Sequence, residues 1–264
     1  MKYILLCLLV TFTMACKDET KKEKIIDTGT LTEEQITLNT YPQDFFKVLS
    51  AHGGLDNWKQ YGTLHFDLPK PEGTETHTVD LYKRLDKITA KSYSLGYDGN
   101  EVWLMNEDND YEGKPKFYHN LMFYFYAMPF VLADEGINYK EIPAMVVDGV
   151  SYPGFHISFN NGVGSSSKDE YYMHYDPETY KMKWLGYTVT YFSGAPSIEI
   201  SWINYEEWNK VGELLLPSAI TWYNTENDTI NAPVNTVKFE NAGISKNAKP
   251  AAFYAKPVNA TVIE

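Results

Sequence analysis

The longest run of closely spaced large apolar side chains lies at residues 117–134, FYHNLMFYFYAMPFVLAD. Residues 121–133 carry no charge, and their Phe and Tyr side chains lack the strict apolar/polar alternation of a half-exposed strand. The pattern predicts a helix buried on every side, with Gly136 as a left-handed cap after its end. A transmembrane span is not favoured, because the run is shorter than the roughly 20 residues required and contains Pro129.

Strand-like runs separated by turn residues recur on both sides of this segment. The predicted strands are residues 63–68, 76–85, 87–95, 101–106, 154–159, 170–175, 183–192, 198–205, 214–223 and 234–242. Their spacing is typical of an antiparallel sandwich or barrel rather than of alternating β and α units. Turns are predicted at 96–100, 176–179 and 224–228, and the Gly- and Ser-rich residues 160–168 are predicted to form a mobile rim or lid.

A helix that is apolar on every side must be buried on every side, and the predicted strands are the segments that can cover it. The expected fold class is therefore α+β, with a large curved antiparallel sheet wrapped around a central apolar helix. Residues 40–60 add an N-terminal helix, because Phe45, Leu49 and Trp58 recur at helical spacing. A glycine break at 53–54 separates this helix from a short second one.

Composition favours one large domain, predicted over residues 39–264. The chain has 264 residues, of which 44% are hydrophobic and 22% charged, enough for a substantial core. Aromatic residues reach 15%, which suits strands and an apolar cavity. The formal net charge of -12 excludes nucleic acid as a partner and makes an anionic membrane surface an unfavourable electrostatic partner.

The N-terminus has the pattern of a secretory signal at residues 1–15, with Lys2, an apolar run at 4–12 and a small-residue exit. Cys16 directly follows Ala15, and this exit resembles a bacterial lipobox, which implies that Cys16 is acylated and becomes the mature N-terminus. An ordinary signal peptide cut after Ala15 is the alternative. The other cysteine lies within the signal, so the folded domain is predicted to have no disulfide and no thiol chemistry.

Residues 16–38 are predicted to be a lipid-anchored flexible tether, since they begin with a charged run that lacks aromatic side chains. Lys17, Asp18 and Glu19 also resemble the export signal that directs Bacteroidota lipoproteins to the outer face of the outer membrane. A simple solvated linker is the alternative. The expected location is the outer membrane, lipid-anchored, with the periplasmic and cell-surface sides both left open.

Several segments together resemble an uncharacterised family of Bacteroidota lipoproteins. They are AHGGL at 51–55 followed by Trp58, YDGNEVW at 97–103, FYHN at 117–120, MPFVL at 128–132, YDPET at 175–179 and WLGYTVTYF at 184–192. The resemblance implies a fold similar to the LolA and LolB lipoprotein carriers, a half-barrel of antiparallel strands closed by helices over an apolar cavity. The ending FYAKP at 253–257 is similar to the end of those carriers.

No catalytic or metal-binding pattern emerges from the chain. Its six histidines include no pair at the i, i+4 spacing of a helical zinc site. The run 108–113 begins like a calcium loop, but His119 stands where the closing Glu belongs. There is no Gly-x-Ser-x-Gly elbow. The protein is therefore predicted to have no cofactor, no metal and no enzymatic activity.

The predicted function is capture of a lipid, an acyl chain or another hydrophobic ligand in an aromatic cavity. The expected partners are that ligand, the membrane through the anchor, and other envelope proteins. A structural or assembly lipoprotein whose cavity is filled by its own helix is one alternative, and an extracytoplasmic hydrolase is another. The candidate ligand-binding residues are His52, Trp58, Trp103, His119, Asn120, Phe123, Tyr124, Tyr126 and Phe130.

Overall fold

The computed structural model describes residues 41–106, 111–160, 162, 166–226 and 229–264. The predicted signal peptide, the anchor at Cys16 and the tether lie outside the described residues. So do residues 108–110 of the calcium-like run, residues 161 and 163–165 of the predicted lid and two residues of the predicted turn at 224–228. Within the described ranges, no helix has the length and apolar character needed to cross a membrane.

The described residues form two seven-stranded sheets and a separate hairpin, and all their strand pairs are antiparallel. The first sheet contains β1 (Thr63–Leu68), β2 (Glu75–Asp80), β3 (Asp86–Thr89), β4 (Ser94–Tyr97), β5 (Val102–Met105), β15 (Glu240–Ser245) and β16 (Thr261–Val262). Its order is β15-β1-β2-β3-β4-β5-β16.

The second sheet contains β6 (Ile137–Val147), β7 (Val150–Phe159), β8 (Tyr171–Tyr175), β9 (Met182–Tyr187), β10 (Ser201–Tyr205), β13 (Ala219–Glu226) and β14 (Thr229–Lys238). Its order is β14-β13-β10-β9-β8-β7-β6, and β11 (Trp208–Val211) pairs with β12 (Leu214–Pro217) in the hairpin. Only Phe239 separates β14 from β15, so the two sheets adjoin at these edges. The predicted antiparallel β architecture is confirmed, but as two open sheets rather than one.

The helical segment also links the two sheets, from β5, which lies next to the edge strand β16 of the first sheet, to β6, the edge strand of the second. It runs from β5 to β6 through α3 (Pro115–Tyr118), α4 (Leu121–Tyr126) and a 3₁₀ turn (Phe130–Ala133). The predicted central helix is present only in part, as three short helical segments. The break between α4 and the 3₁₀ turn falls at Pro129, which has no N–H to donate and whose ring cannot fit inside a helix. The prediction of burial is confirmed from Met122 to Ala133, where every residue except Tyr124 is buried.

Helices α1 (Gln43–Ala51) and α2 (Leu55–Lys59) form the N-terminal helix, glycine break and short second helix that the sequence predicts. Gly53 makes this break possible, since its φ is 108° and a Cβ there would lie 2.4 Å from the carbonyl oxygen of Glu213. Side chains from these helices, both sheets and the central segment join one contiguous hydrophobic core.

Several predicted strand boundaries were wrong. Residues 87–95 form two strands, β3 and β4, joined by a tight turn in which the N–H of Ala90 bonds to the carbonyl of Tyr93. The runs 214–223 and 234–242 each divide between two strands. Strand β6 was missed because its side chains are mostly exposed and include Lys140 and Glu141, a pattern without a buried face. The predictions also missed β11 and β16.

Candidate hydrophobic cavity

A cavity of about 160 Å³ lies between the central helical segment and the second sheet. Its walls come from α3 and α4, the 3₁₀ turn, the strands β6, β7 and β8, the loop between β7 and β8, and the loop that follows β9. The lining residues are Lys116, Phe117, Asn120, Leu121, Tyr124, Phe125, Met128, Val131, Leu132, Asp134, Ile137, Phe159, Ser166, Asp169, Tyr171 and Tyr191.

Most of this wall is apolar, and the sheet and the helix each supply part of it. From the helix, Phe125 is buried and its ring also packs against Tyr187 at 5.1 Å and Trp222 at 5.7 Å. From the sheet, Phe159 and Tyr171 lie edge to face at 5.6 Å. These contacts hold the aromatic wall in place, so the cavity is bounded by packed side chains rather than by loose ones.

Two carboxylates on the wall already have partners. Asp134 accepts two hydrogen bonds from Arg84 Nη2, both at 2.7 Å. Asp169 accepts from the backbone N–H and the Oγ1 of Thr190, both at 2.6 Å. Burial raises the pKa of both carboxyl groups, and these partners act in the opposite direction. Both carboxylates therefore hold neighbouring groups in place, Asp134 through both oxygens and Asp169 through Oδ1.

Lys116 and Asn120 are two further polar side chains on the wall. Among the described residues, neither side chain has a hydrogen-bond or ion-pair partner, and Asn120 does not cap helix α4. Lys116 is exposed to solvent, so it marks the open end of the cavity. An ammonium and an amide beside an apolar wall provide donors for the carboxylate or phosphate of an amphiphile.

The cavity volume limits what fits inside. Its 160 Å³ is close to the roughly 150 Å³ of a cavity that holds one benzene molecule, and below the roughly 300–1,000 Å³ of drug-sized ligand sites. A short apolar group therefore fits as the walls stand. A long chain would have to extend through the open end near Lys116.

The structure places two of the nine predicted ligand-binding residues, Asn120 and Tyr124, on the cavity wall. Burial raises the pKa of the Tyr124 hydroxyl, which keeps it a neutral donor. Phe123, Tyr126, Phe130 and Trp58 do not line the cavity. They are buried, and the ring of Phe130 stacks on Trp58 at 4.9 Å and 5°.

His52 lies away from the cavity and joins helix α1 to the second sheet and the hairpin. Its Nε2 accepts a hydrogen bond from the N–H of Met182 at 3.0 Å, so its Nδ1 carries the proton and faces the carbonyl of Leu215 at 3.4 Å. Burial lowers its pKa to about 3. Its ring contacts the ring of Trp208, with the two centroids 4.2 Å apart.

His119 and Trp103 also lie off the cavity wall. His119 Nδ1 is 2.6 Å from Asp86 Oδ2, and both side chains are buried. Burial raises the pKa of Asp86 to about 6 and outweighs the opposing effect of His119. Trp103 Nε1 donates to the carbonyl of Tyr254 at 3.0 Å, which attaches the C-terminal segment to the first sheet.

A second polar cluster surrounds the buried carboxylate of Glu75. It accepts hydrogen bonds from Tyr93, from Tyr118 at 2.5 Å and from His77 Nε2 at 3.3 Å. Burial opposes ionisation of Glu75, but these donors lower its pKa to about 2. With three hydrogen-bond donors and a pKa of about 2, this carboxylate is a weak base. Within the described residues, no group of three or more His, Cys, Asp or Glu forms a metal site.

Sequence reasoning missed the lining residues contributed by the sheet, among them Ile137, Phe159 and Tyr171. Ile137 begins the edge strand that was not predicted. The aromatic pairs in which Phe159 and Tyr171 take part form only when β7 and β8 align. The one usable signal was the row of Phe and Tyr in helix α4, but it did not separate Tyr124, which lines the cavity, from Phe123 and Tyr126, which do not.

Comparison with known proteins gives limited similarity. Residues 69–197, slightly less than half of the chain, match a family of unknown function (DUF6503). No curated protein sequence is similar enough to match the chain.

Two solved structures show distant similarity in fold. A LolA superfamily protein from Nitrosomonas europaea is 7% identical, with 74% of this chain and 88% of that chain covered and a TM-score of 0.46. A DUF1329 family protein from Desulfovibrio piger is 10% identical, with 80% and 95% covered and a TM-score of 0.49. Because both TM-scores are below 0.5, these structures give no argument about the function of this chain.

Proposed function

We propose that this protein binds a lipid, an acyl chain or another hydrophobic ligand in the cavity beside helix α4, without catalysing a reaction on it. The observation that carries this proposal is an apolar wall next to two polar side chains, Lys116 and Asn120, that have no partner among the described residues. A ligand with an apolar part and an anionic head would satisfy both. The carboxylates of Asp134, Asp169 and Glu75 are bonded to neighbouring groups, which supports binding over catalysis.

The proposed setting is the outer membrane of a Bacteroidota-type envelope, with residues 39–264 as one ligand-binding domain held by an acylated Cys16. The sequence pattern of residues 1–16 supports this setting. Cys16→Ser should leave the protein soluble in the periplasm, because acyl chains contribute about 0.8 kcal/mol per buried methylene to membrane binding. Cell fractionation measures this, and continued membrane association of the variant would contradict the anchor.

The binding proposal is tested by filling the cavity. Leu121 lines it and is only partly buried, so Leu121→Trp should occupy the space and weaken binding of a fluorescent fatty acid by about tenfold or more. The cost in stability should stay within the roughly 1–3 kcal/mol of overpacking. Val258→Trp is the control, because Val258 is 98% exposed and outside the cavity wall.

Native mass spectrometry of the purified protein supplies an independent readout, since a copurified lipid would add a defined mass. If the parent protein binds no fluorescent fatty acid and carries no lipid, the cavity proposal is wrong. The remaining candidate is then a structural or assembly protein. The tightly packed side of the central segment, where Phe130 stacks on Trp58, favours that second candidate.

A further inference from the structure

An exposed aromatic cluster adjoins the open end of the cavity. The rings of Phe117, Tyr191 and Phe192 lie within 4.9–5.2 Å of one another. Phe117 and Tyr191 also line the cavity, whereas Phe192 is 57% exposed. The aromatic surface therefore continues from the cavity wall to the outside of the protein.

The loop between β9 and β10 that carries Phe192 is held by specific hydrogen bonds. Thr190 donates twice to Asp169, and the N–H of Gly194 donates to the carbonyl of Thr190 at 2.7 Å. Ile198 on the same loop is 97% exposed. This loop thus presents two large apolar side chains, Phe192 and Ile198, to solvent, and contiguous exposed apolar surface commonly marks a contact site.

Lysines surround this cluster although the chain as a whole is acidic. Lys114 Nζ lies 4.3 Å from the centre of the Phe192 ring, and Lys168 Nζ donates to the carbonyl of Gly194. Lys116 stands at the cavity rim. Aromatic and aliphatic side chains flanked by lysines are the combination that settles at the boundary between lipid headgroups and acyl chains.

We propose that Phe192, Ile198 and the three lysines form a contact with a phospholipid bilayer, through which a lipid enters and leaves the cavity. The route by which a lipid enters the cavity rests on the proposed function, whereas the contact between this surface and the bilayer does not. At physiological salt, charges farther away than about 8 Å are largely screened, so these lysines act locally despite the net charge of -12. The continuity between cluster and cavity favours a lipid surface over a protein partner.

The test measures flotation of the full-length protein with phosphatidylcholine vesicles, with and without phosphatidylglycerol, and the parent and every variant also carry Cys16→Ser so that the proposed acyl anchor does not dominate the binding. Phe192→Ser should lower the partition coefficient about tenfold, and Ile198→Ser severalfold, because each removes a side chain buried in the lipid. Val234→Ser and Val258→Ser are matched controls at 59% and 98% exposure and should bind as the parent does. All variants share one N-terminus, so any contribution of residues 1–40 cancels.

Charge is tested separately. Replacing Lys114 and Lys116 together by Gln should weaken flotation with vesicles that contain phosphatidylglycerol and have a smaller effect with phosphatidylcholine alone. The contact is supported if Phe192→Ser and Ile198→Ser lose flotation while their thermal unfolding matches the controls. Equal flotation of these variants and the valine controls would overturn it. If the variants lose self-association of the protein while their vesicle binding is unchanged, the surface contacts a second copy of the chain, and the bilayer contact is overturned as well.

Binding of a soluble fluorescent fatty acid separates this inference from the proposed function. Phe192→Ser should bind the probe as the parent does, because Phe192 lies outside the cavity wall. Probe binding without any difference in flotation overturns the bilayer contact alone. A difference in flotation without probe binding by the parent overturns the cavity function and retains the bilayer contact.

Discussion

Tyr126 and Tyr124 lie two residues apart on the same short helix and have opposite surroundings. Tyr126 is 1% exposed and packs against Phe66 at 4.5 Å and Phe239 at 4.4 Å. Tyr124 is partly buried and lines the cavity. The composition of the helix does not distinguish them, so the difference comes from what lies opposite each side chain in the folded chain.

This difference shows that one segment serves as core on one face and as cavity wall on the other. The filled face includes Phe123 and Phe130, whereas Leu121 and Phe125 share the cavity with Tyr124. A helix next to a curved sheet is expected to have one face of each kind. The rigid face holds the helix in position, which keeps the other face from collapsing into the space beside it.

The largest effect is expected on the filled face. Tyr126→Ala should lower the free energy of unfolding by about 3–5 kcal/mol, because it leaves a large void among tightly packed rings. Chemical denaturation measures the change. Tyr126→Phe is the matched control and should cost much less, since it keeps the ring. A loss below about 1 kcal/mol for Tyr126→Ala would mean that this face is not filled.

A smaller, pH-dependent effect is expected where the segment is fixed to the first sheet by Asp86 and His119. The pKa of Asp86 is raised to about 6, above its value near 4 in an unfolded chain. Between these pH values the folded state holds the proton more tightly, so this group stabilises the fold below about pH 4. That contribution is lost as the pH rises through about 6.

Asp86→Asn should remove this dependence. Relative to the parent protein, the variant should gain on the order of 2–3 kcal/mol in unfolding free energy between pH 4 and pH 7. Denaturation curves across this pH range provide the measurement. Glu112→Gln, at an exposed position, is the control and should leave the pH profile unchanged. Parallel pH profiles for Asp86→Asn and the parent protein would rule out a buried, protonated Asp86.

The features of the fold that depend on local sequence pattern were predicted from the sequence. The uncharged run at 121–133 identified the buried segment, and the turn residues at Asp176 identified a real turn, in which Tyr180 donates its N–H to the carbonyl of Asp176. The end of helix α4 was not predicted, because Pro129 served only as an argument against a membrane span. Proline removes a donor in either setting, so it also predicts a helix end.

The remaining features depend on partners far apart in the chain. Asp86 and His119 are separated by 33 residues, and Trp103 and Tyr254 by 151, so no local pattern pairs them. The turn at 90–93, AKSY, contains no Gly, Pro, Asn or Asp, which is why β3 and β4 read as one strand. Such long-range pairing also decides which of the nine candidate residues face the cavity, so the sequence alone could not select them.

The smallest effect on stability, and the most direct test of the comparison, is expected at Tyr124. Tyr124→Ala should cost less than Tyr126→Ala, about 1–2 kcal/mol of unfolding free energy, because part of the side chain faces the cavity while the rest packs against the core. The same change should weaken binding of a fluorescent fatty acid severalfold, since it removes part of the wall. Tyr126→Phe, which alters the opposite face without creating a void, should bind the probe as the parent does.

Denaturation and probe titration on the same preparations of Tyr124→Ala give both quantities. A low cost in stability together with weaker probe binding supports a helix with one filled face and one ligand-binding face. A cost of about 3–5 kcal/mol, as for a fully packed aromatic side chain, with unchanged probe binding would contradict it. Tyr124 would then belong to the core as Tyr126 does, and the ligand would have to bind elsewhere on the protein.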